Sequence, residues 1–146
     1  MNVYDFDETI FHPDSSYSFF CFCLRRYPRA VWKAIPPSLV QYAIYLRQGR
    51  KDAGRLKEAL FSYLNRMESV EQTVEDFWET HFDGIAQWYL AQKRDDDLII
   101  SASPEFLLAP VAKRLGVRLL ATPMNPYTGK IIGKNFHDAE KCRRFQ

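Results

Sequence analysis

Apolar and polar positions along this chain fall into two regimes. Three short apolar bursts stand apart from the rest: residues 2–6 ("NVYDF"), 97–101 ("DLIIS") and 117–122 ("VRLLAT"). Bursts of this length predict buried strands. Between the first two, from Ser16 to about Arg94, apolar residues return every three or four positions. Leu56, Leu60, Tyr63, Leu64 and Met67 form one such series, and Val74, Phe77, Trp78, His81 and Phe82 another. That period predicts helices, four or five of them. Pro36-Pro37 is expected to end one, Gly49 another, and Ser69 with Gln72 to open a third as a capping box.

Beyond Ser101 the pattern alternates. Ser103 is the expected N-cap of a helix with Pro104 at its first position and Gly116 as its C-terminal cap. The strand at 117–122 follows. "NPYTGKIIG" then carries turn residues around a short apolar pair and predicts a hairpin, and a last helix is expected to open at Asp138. Strand, inserted helices, strand, helix, strand describes an α/β fold, a parallel sheet with helices on both faces.

Composition changes this picture little. The 146 residues suit one domain, and 47% hydrophobic with 26% charged residues is ordinary for a globular protein with a sizeable core. Cys21, Cys23 and Cys142 have no metal-ligand spacing and are read as reduced thiols of a cytoplasmic protein. The run "YSFFCFCL" is far shorter than the roughly 20 residues that span a bilayer, and nothing resembles an export leader. His12, His81 and His137 show no ligand spacing and are expected to be core or surface residues.

Charge adds more. The net charge is only +2, yet from Arg25 to Lys57 nine basic residues face the single Asp52. The same stretch carries Phe19, Phe20, Tyr27, Trp32, Tyr42 and Tyr45 beside or within it. Aromatics at helical spacing are usually core, and a charge run is usually a solvated face. The functional alternative is an apolar, basic surface suited to a phospholipid phosphate or to peripheral membrane contact. No nucleic-acid partner is expected.

Candidate chemistry starts at "VYDFDETI", residues 3–10. If the first strand continued through it, Asp5 and Asp7 would project to one side. Like charges so close cost stability unless a cation or a partner offsets them. In an open parallel sheet ligands bind beyond the carboxyl ends of the strands, where Asp5, Asp7 and Ser101 fall together.

These motifs carry a resemblance. "VYDFDETI" resembles the first signature of the haloacid dehalogenase superfamily of phosphohydrolases, an apolar strand followed by Asp-x-Asp-x-Thr. "LIISASPEF" is similar to the second, an apolar strand ending in Ser or Thr, and "GKNFHDAEK", ending at Lys141, to the third. Order and spacing resemble the phosphoserine-phosphatase-like branch (subfamily IB), whose helical C1-type cap is inserted between the first two signatures. The resemblance implies a Rossmann-like core over residues 1–15 and 96–146 and an all-helical cap over 16–95.

It also implies roles. Asp5 would be the nucleophile that forms an acyl phosphate, and Asp7 the general acid and base. Mg²⁺ would be held by Asp5, by the backbone carbonyl of Asp7 and by a third acidic residue. Ser101, the amides around Ala102, and Lys141 would bind the phosphoryl group, and Thr9 would orient the loop. Glu8 replaces a glycine frequent in the family, with little consequence expected. The implied activity is a Mg²⁺-dependent phosphate monoester hydrolase acting on a small or lipid-borne phosphate, with phosphoserine disfavoured by so apolar a cap. The rival reading is a catalytically silent phosphate- or partner-binding module of the same fold. Nothing after Lys141 is acidic and the sequence stops at Gln146, so the third metal ligand is absent from this chain and a longer protein is expected.

Overall fold

A computed structural model describes residues 1–49 and 53–133. Its sheet has three parallel strands in the order β1 (Val3–Asp5), β2 (Leu98–Pro104), β3 (Arg118–Thr122). β2 lies in the middle and is buried along nearly its whole length, as a continuous apolar strand between two neighbours should be. Val3 pairs with Leu98 and Asp5 with Ile100, while Leu98 pairs with Arg118 and Ile100 with Leu120. Beyond Ile100 the register slips, so that Pro104 pairs with Thr122. Four residues of β2 there advance alongside two of β3. The Ser101–Ala102–Ser103 segment is therefore a bulge at the carboxyl end of the sheet.

Helices surround the sheet. Between β1 and β2 come α1 (Ser15–Arg26), α2 (Pro28–Arg47), α3 (Ala53–Leu60), a 3-10 turn (Ser62–Arg66), α4 (Val70–His81), a second 3-10 turn (Phe82–Gly84) and α5 (Gln87–Gln92); α6 (Glu105–Leu115) joins β2 to β3. One buried aromatic cluster ties them to the strands. Phe6, wholly buried directly after β1, stacks on Phe11 with ring centroids 5.7 Å apart. Trp78 of α4 meets both edge-on, and its indole N–H donates to the Leu107 carbonyl of α6 at 2.7 Å. Phe77 carries the cluster on to Phe19 of α1. Burying Phe6 fixes the depth at which the residues on either side of it, Asp5 and Asp7, leave the sheet.

Several sequence expectations are altered here. Pro36 and Pro37 lie inside α2 rather than ending it. The carbonyls that lose their donors belong to Trp32 and Lys33, both on the solvent side, and the Ser38 hydroxyl donates to the Ala34 carbonyl at 2.7 Å on the buried side. Ser103 is not an N-cap: Pro104 is, and Ser103 belongs to β2. The capping box at Ser69 is half formed. Its hydroxyl accepts from the Gln72 amide at 3.3 Å, but the Gln72 side chain turns to Asp76 instead. Gly49 and Gly116 do close their helices with positive φ. The hairpin forms through Met124 and Ile131, and Gly129, at its tip, sits so close to the Phe61 carbonyl that a Cβ there would clash with it. The last helix expected from Asp138, with Lys141, His137 and Cys142, lies outside the described residues.

Candidate active site

The strand ends where the chemistry begins. β1 stops at Asp5, so alternation does not extend to Asp7, and the two carboxylates take different environments. Asp5 remains exposed, one carboxylate oxygen accepting from the Phe6 amide at 2.9 Å. Asp7 turns inward. One of its oxygens accepts from the Ser15 amide at 2.7 Å, and the other from the hydroxyls of Ser101 at 3.0 Å and Ser103 at 2.6 Å. The loop between is tight: Phe6 offers its carbonyl to the amides of Ile10 and Phe11, and Glu8 adopts φ +59°. That left-handed conformation accounts for a glycine preference at this position, so Glu8 carries backbone strain where none was expected.

A cavity of about 280 Å³ opens above these residues. Asp5, Asp7 and Asp14 line it, together with Ser16, Ser103 and Ala102, and Lys57 reaches in from α3. The Lys57 ammonium donates to the Ala102 carbonyl, which also accepts from the Thr122 hydroxyl at 2.9 Å. Ser103 is a junction, receiving the hydroxyls of Ser15 at 3.2 Å and Ser16 at 3.0 Å while donating to Asp7. Asp14 caps α1 by accepting from the Tyr17 amide at 2.9 Å. Burial raises its carboxyl above the ordinary value, the Asp7 and Glu8 charges push the same way, and the Tyr17 amide opposes them.

The structure thus brings Asp5, Asp7 and Ala102 into one cavity. Ser101 lies just beneath it, fully buried, with its hydroxyl committed to Asp7. Thr9 stays on the exposed turn and does not line the cavity. Lys57, Ser103, Ser16 and Asp14 were missed as site residues in the sequence. Asp14 could have been found, since "DSS" before an apolar run is an N-cap signal. Lys57 could not, because nothing local separates it from the other basic residues around it.

Three carboxylates beside one ammonium, among the described residues, leave the cavity short of positive charge. Among the described residues no three His, Cys, Asp or Glu side chains form a cage able to hold a metal alone. Mg²⁺ does not need one, because it binds through one or two carboxylates with water and substrate oxygens completing its shell. Asp5 can supply that carboxylate, whereas both oxygens of the Asp7 carboxylate already accept hydrogen bonds. A larger opening of about 520 Å³ between α4 and α6 is lined by Glu71 and Glu75 with no basic residue among the described ones, and suits an anionic group poorly.

The parallel α/β sheet carries paired aspartates after its first strand and a serine bulge at the carboxyl end of its second. The family model of haloacid dehalogenase-like hydrolases matches residues 3–146, and the chain belongs to that family. Its fold is similar to that of a crystal structure of a protein of unknown function from Bordetella pertussis Tohama I, with a TM-score of 0.75, 22% identity, and coverage of 99% of this chain and 71% of the other. A search of curated proteins finds no match. Among the described residues no helix is long and apolar enough to cross a membrane.

Proposed function

We propose that this hydrolase is a Mg²⁺-dependent phosphomonoesterase that acts through a phosphoaspartate, with the helical segment between β1 and β2 serving as its cap. The observation that carries the reading is the contrast between the two carboxylates: Asp5 exposed at the strand end, Asp7 held from three sides. A carboxylate oxygen of Asp5 attacks phosphorus, the phosphorus–ester oxygen bond breaks, and the leaving oxygen takes a proton from Asp7. Water then attacks the same phosphorus, Asp7 takes its proton, and the bond to Asp5 breaks to release inorganic phosphate. Ser101 and Ser103 hold Asp7 at one orientation for both transfers, and Lys57 supplies positive charge to the phosphoryl oxygens. Mg²⁺, held by Asp5 and the Asp7 carbonyl, would neutralise the repulsion between carboxylate and phosphate. Lys141 would add a second ammonium.

The test is hydrolysis of p-nitrophenyl phosphate with and without Mg²⁺. Wild-type protein should turn over only with the metal, and Asp5→Asn should lose at least about a hundredfold while keeping its circular dichroism, as loss of a covalent step does. An absence of turnover under both conditions would favour the silent binding module. Residual activity in Asp5→Asn above about one hundredth would remove Asp5 as nucleophile.

We further propose that the outer face of α2 lies against an anionic bilayer. Trp32, Leu39, Val40, Tyr42 and Leu46 are all exposed along it, Arg29, Lys33 and Arg47 border them, and α2 contains no acidic residue.

A further inference from the structure

Directly beside the carboxylate cavity is a second one of about 310 Å³, and the two share the wall formed by Asp14 and Ser16. The remaining lining among the described residues is Tyr17, Phe20, Leu60, Phe61 and Tyr63, mostly ring and alkyl surface with two tyrosine hydroxyls and no cation. Its volume lies at the lower end of the range for small-molecule sites, about 300 Å³ and upward. Two helices supply both cavities at once. On α3, Lys57 points into the first and Leu60, three residues on, into the second. On α1, Ser16 lies in the shared wall, with Tyr17 and Phe20 forming the apolar side. The Phe20 and Tyr63 rings pack edge to face at 5.9 Å, and Phe61 lies 6.0 Å from Tyr63.

We infer that this pocket receives the alcohol portion of the substrate, and that the substrate is a phosphate monoester of an apolar alcohol, an alkyl chain being the best fit. The inference rests on the phosphomonoesterase reading for the neighbouring cavity. A phosphoryl group seated by Asp5 and Lys57 has its ester oxygen facing the remaining walls, and the shared Asp14–Ser16 wall leads to rings and an alkyl side chain, with the Tyr17 and Tyr63 hydroxyls as the donors among the described residues. A polyol or amino-acid head would lose more hydration there than two tyrosine hydroxyls can replace. An alkyl chain gains burial at each methylene. Tyr17 and Leu60, partly exposed at the rim, leave the pocket open at one side, so a chain longer than the pocket can continue outward.

The test uses two homologous series on the purified protein: n-alkyl phosphates from methyl to octyl for turnover, and the matching n-alkylphosphonates, which cannot be hydrolysed, for affinity by calorimetry. Burial of a methylene is worth about a fourfold gain, so kcat/KM and phosphonate affinity should rise together by about threefold to fourfold per carbon until the pocket is filled. The double variant Tyr17→Ser, Leu60→Asn changes rim residues only and should flatten both series. Turnover independent of chain length, with flat phosphonate affinity, overturns the pocket and leaves the phosphatase standing. Phosphonate affinity that climbs with chain length while no ester is hydrolysed upholds the pocket and overturns the phosphatase. A slope that survives intact in the double variant puts the chain elsewhere and overturns the assignment.

Discussion

Glu8 is where a single residue departs furthest from what its loop requires. Its φ of +59° is a conformation that glycine adopts without penalty and a residue with a Cβ does not. Glu8→Gly should therefore stabilise the fold by up to about 1 kcal/mol, read as a rise in the urea midpoint at unchanged slope. A lower midpoint would mean that the Glu8 side chain contributes more than its backbone costs. The same turn determines how Asp5 and Asp7 diverge, because Phe6 beneath them is fixed in the aromatic cluster. The serines at 101 and 103 act on Asp7 rather than independently of it, so a role assigned to either from its place on a strand end misses the carboxylate between them.

At the scale of the element, α2 is the informative one. Its prolines remove two backbone donors without interrupting the helix, since the carbonyls left over face solvent. Its inner side is made of Ala30, Val31, Ala34 and Ser38, and its outer side of large apolar residues edged by Arg29, Lys33 and Arg47. Arg26, nearby on α1, is already committed to Asp76 at 2.5 Å and is not part of this face. Vesicles containing phosphatidylserine should carry the protein upward in a flotation gradient, and neutral vesicles should not. Arg29→Gln, Lys33→Gln, Arg47→Gln in combination should weaken vesicle binding by about a hundredfold and abolish flotation at low lipid, since each cation near an anionic surface is worth about 1 kcal/mol. Equal recovery with both vesicle types would leave the face to another occupant.

Across the whole molecule, stability depends on buried acids that titrate above neutrality. Burial pushes the Cys23 thiol up to about 12, with Tyr63 and Arg26 opposing. Burial likewise raises Tyr63, aided by Cys23, and takes Tyr89 to about 12, aided by Asp97. Above about pH 9 the unfolded chain releases protons that the folded chain keeps, so the unfolded state is favoured as pH rises. Stability should hold below that pH and then fall toward pH 12, each group adding up to about 1.4 kcal/mol per pH unit through its own window. Denaturation midpoints measured from pH 8 to 11 check this, and Cys23→Ala should show a shallower decline over the first unit. A wild-type midpoint constant to pH 11 would contradict the burial of these groups.

By itself the sequence determined the three strands and the run of helices between the first two, because short apolar bursts and a period of three to four residues are written into the chain before any contact forms. It also placed Asp5, Asp7 and the Ser101 segment at strand ends, since topology alone brings the carboxyl ends of parallel strands to one edge. What it could not carry depended on contacts between residues far apart. Nothing near Lys57 says that α3 will turn it toward Ala102, 45 residues away. Nothing near Ser103 says that the register slips by two residues on β2 and makes it a donor to Asp7 instead of a helix cap. The prolines of α2 obey the local rule only if the freed carbonyls are buried, and which side of a helix meets solvent is decided by packing. Periodicity is a local property and survived; side-chain direction at the site is a tertiary one, decided by how the helices between the first two strands fold back over the sheet.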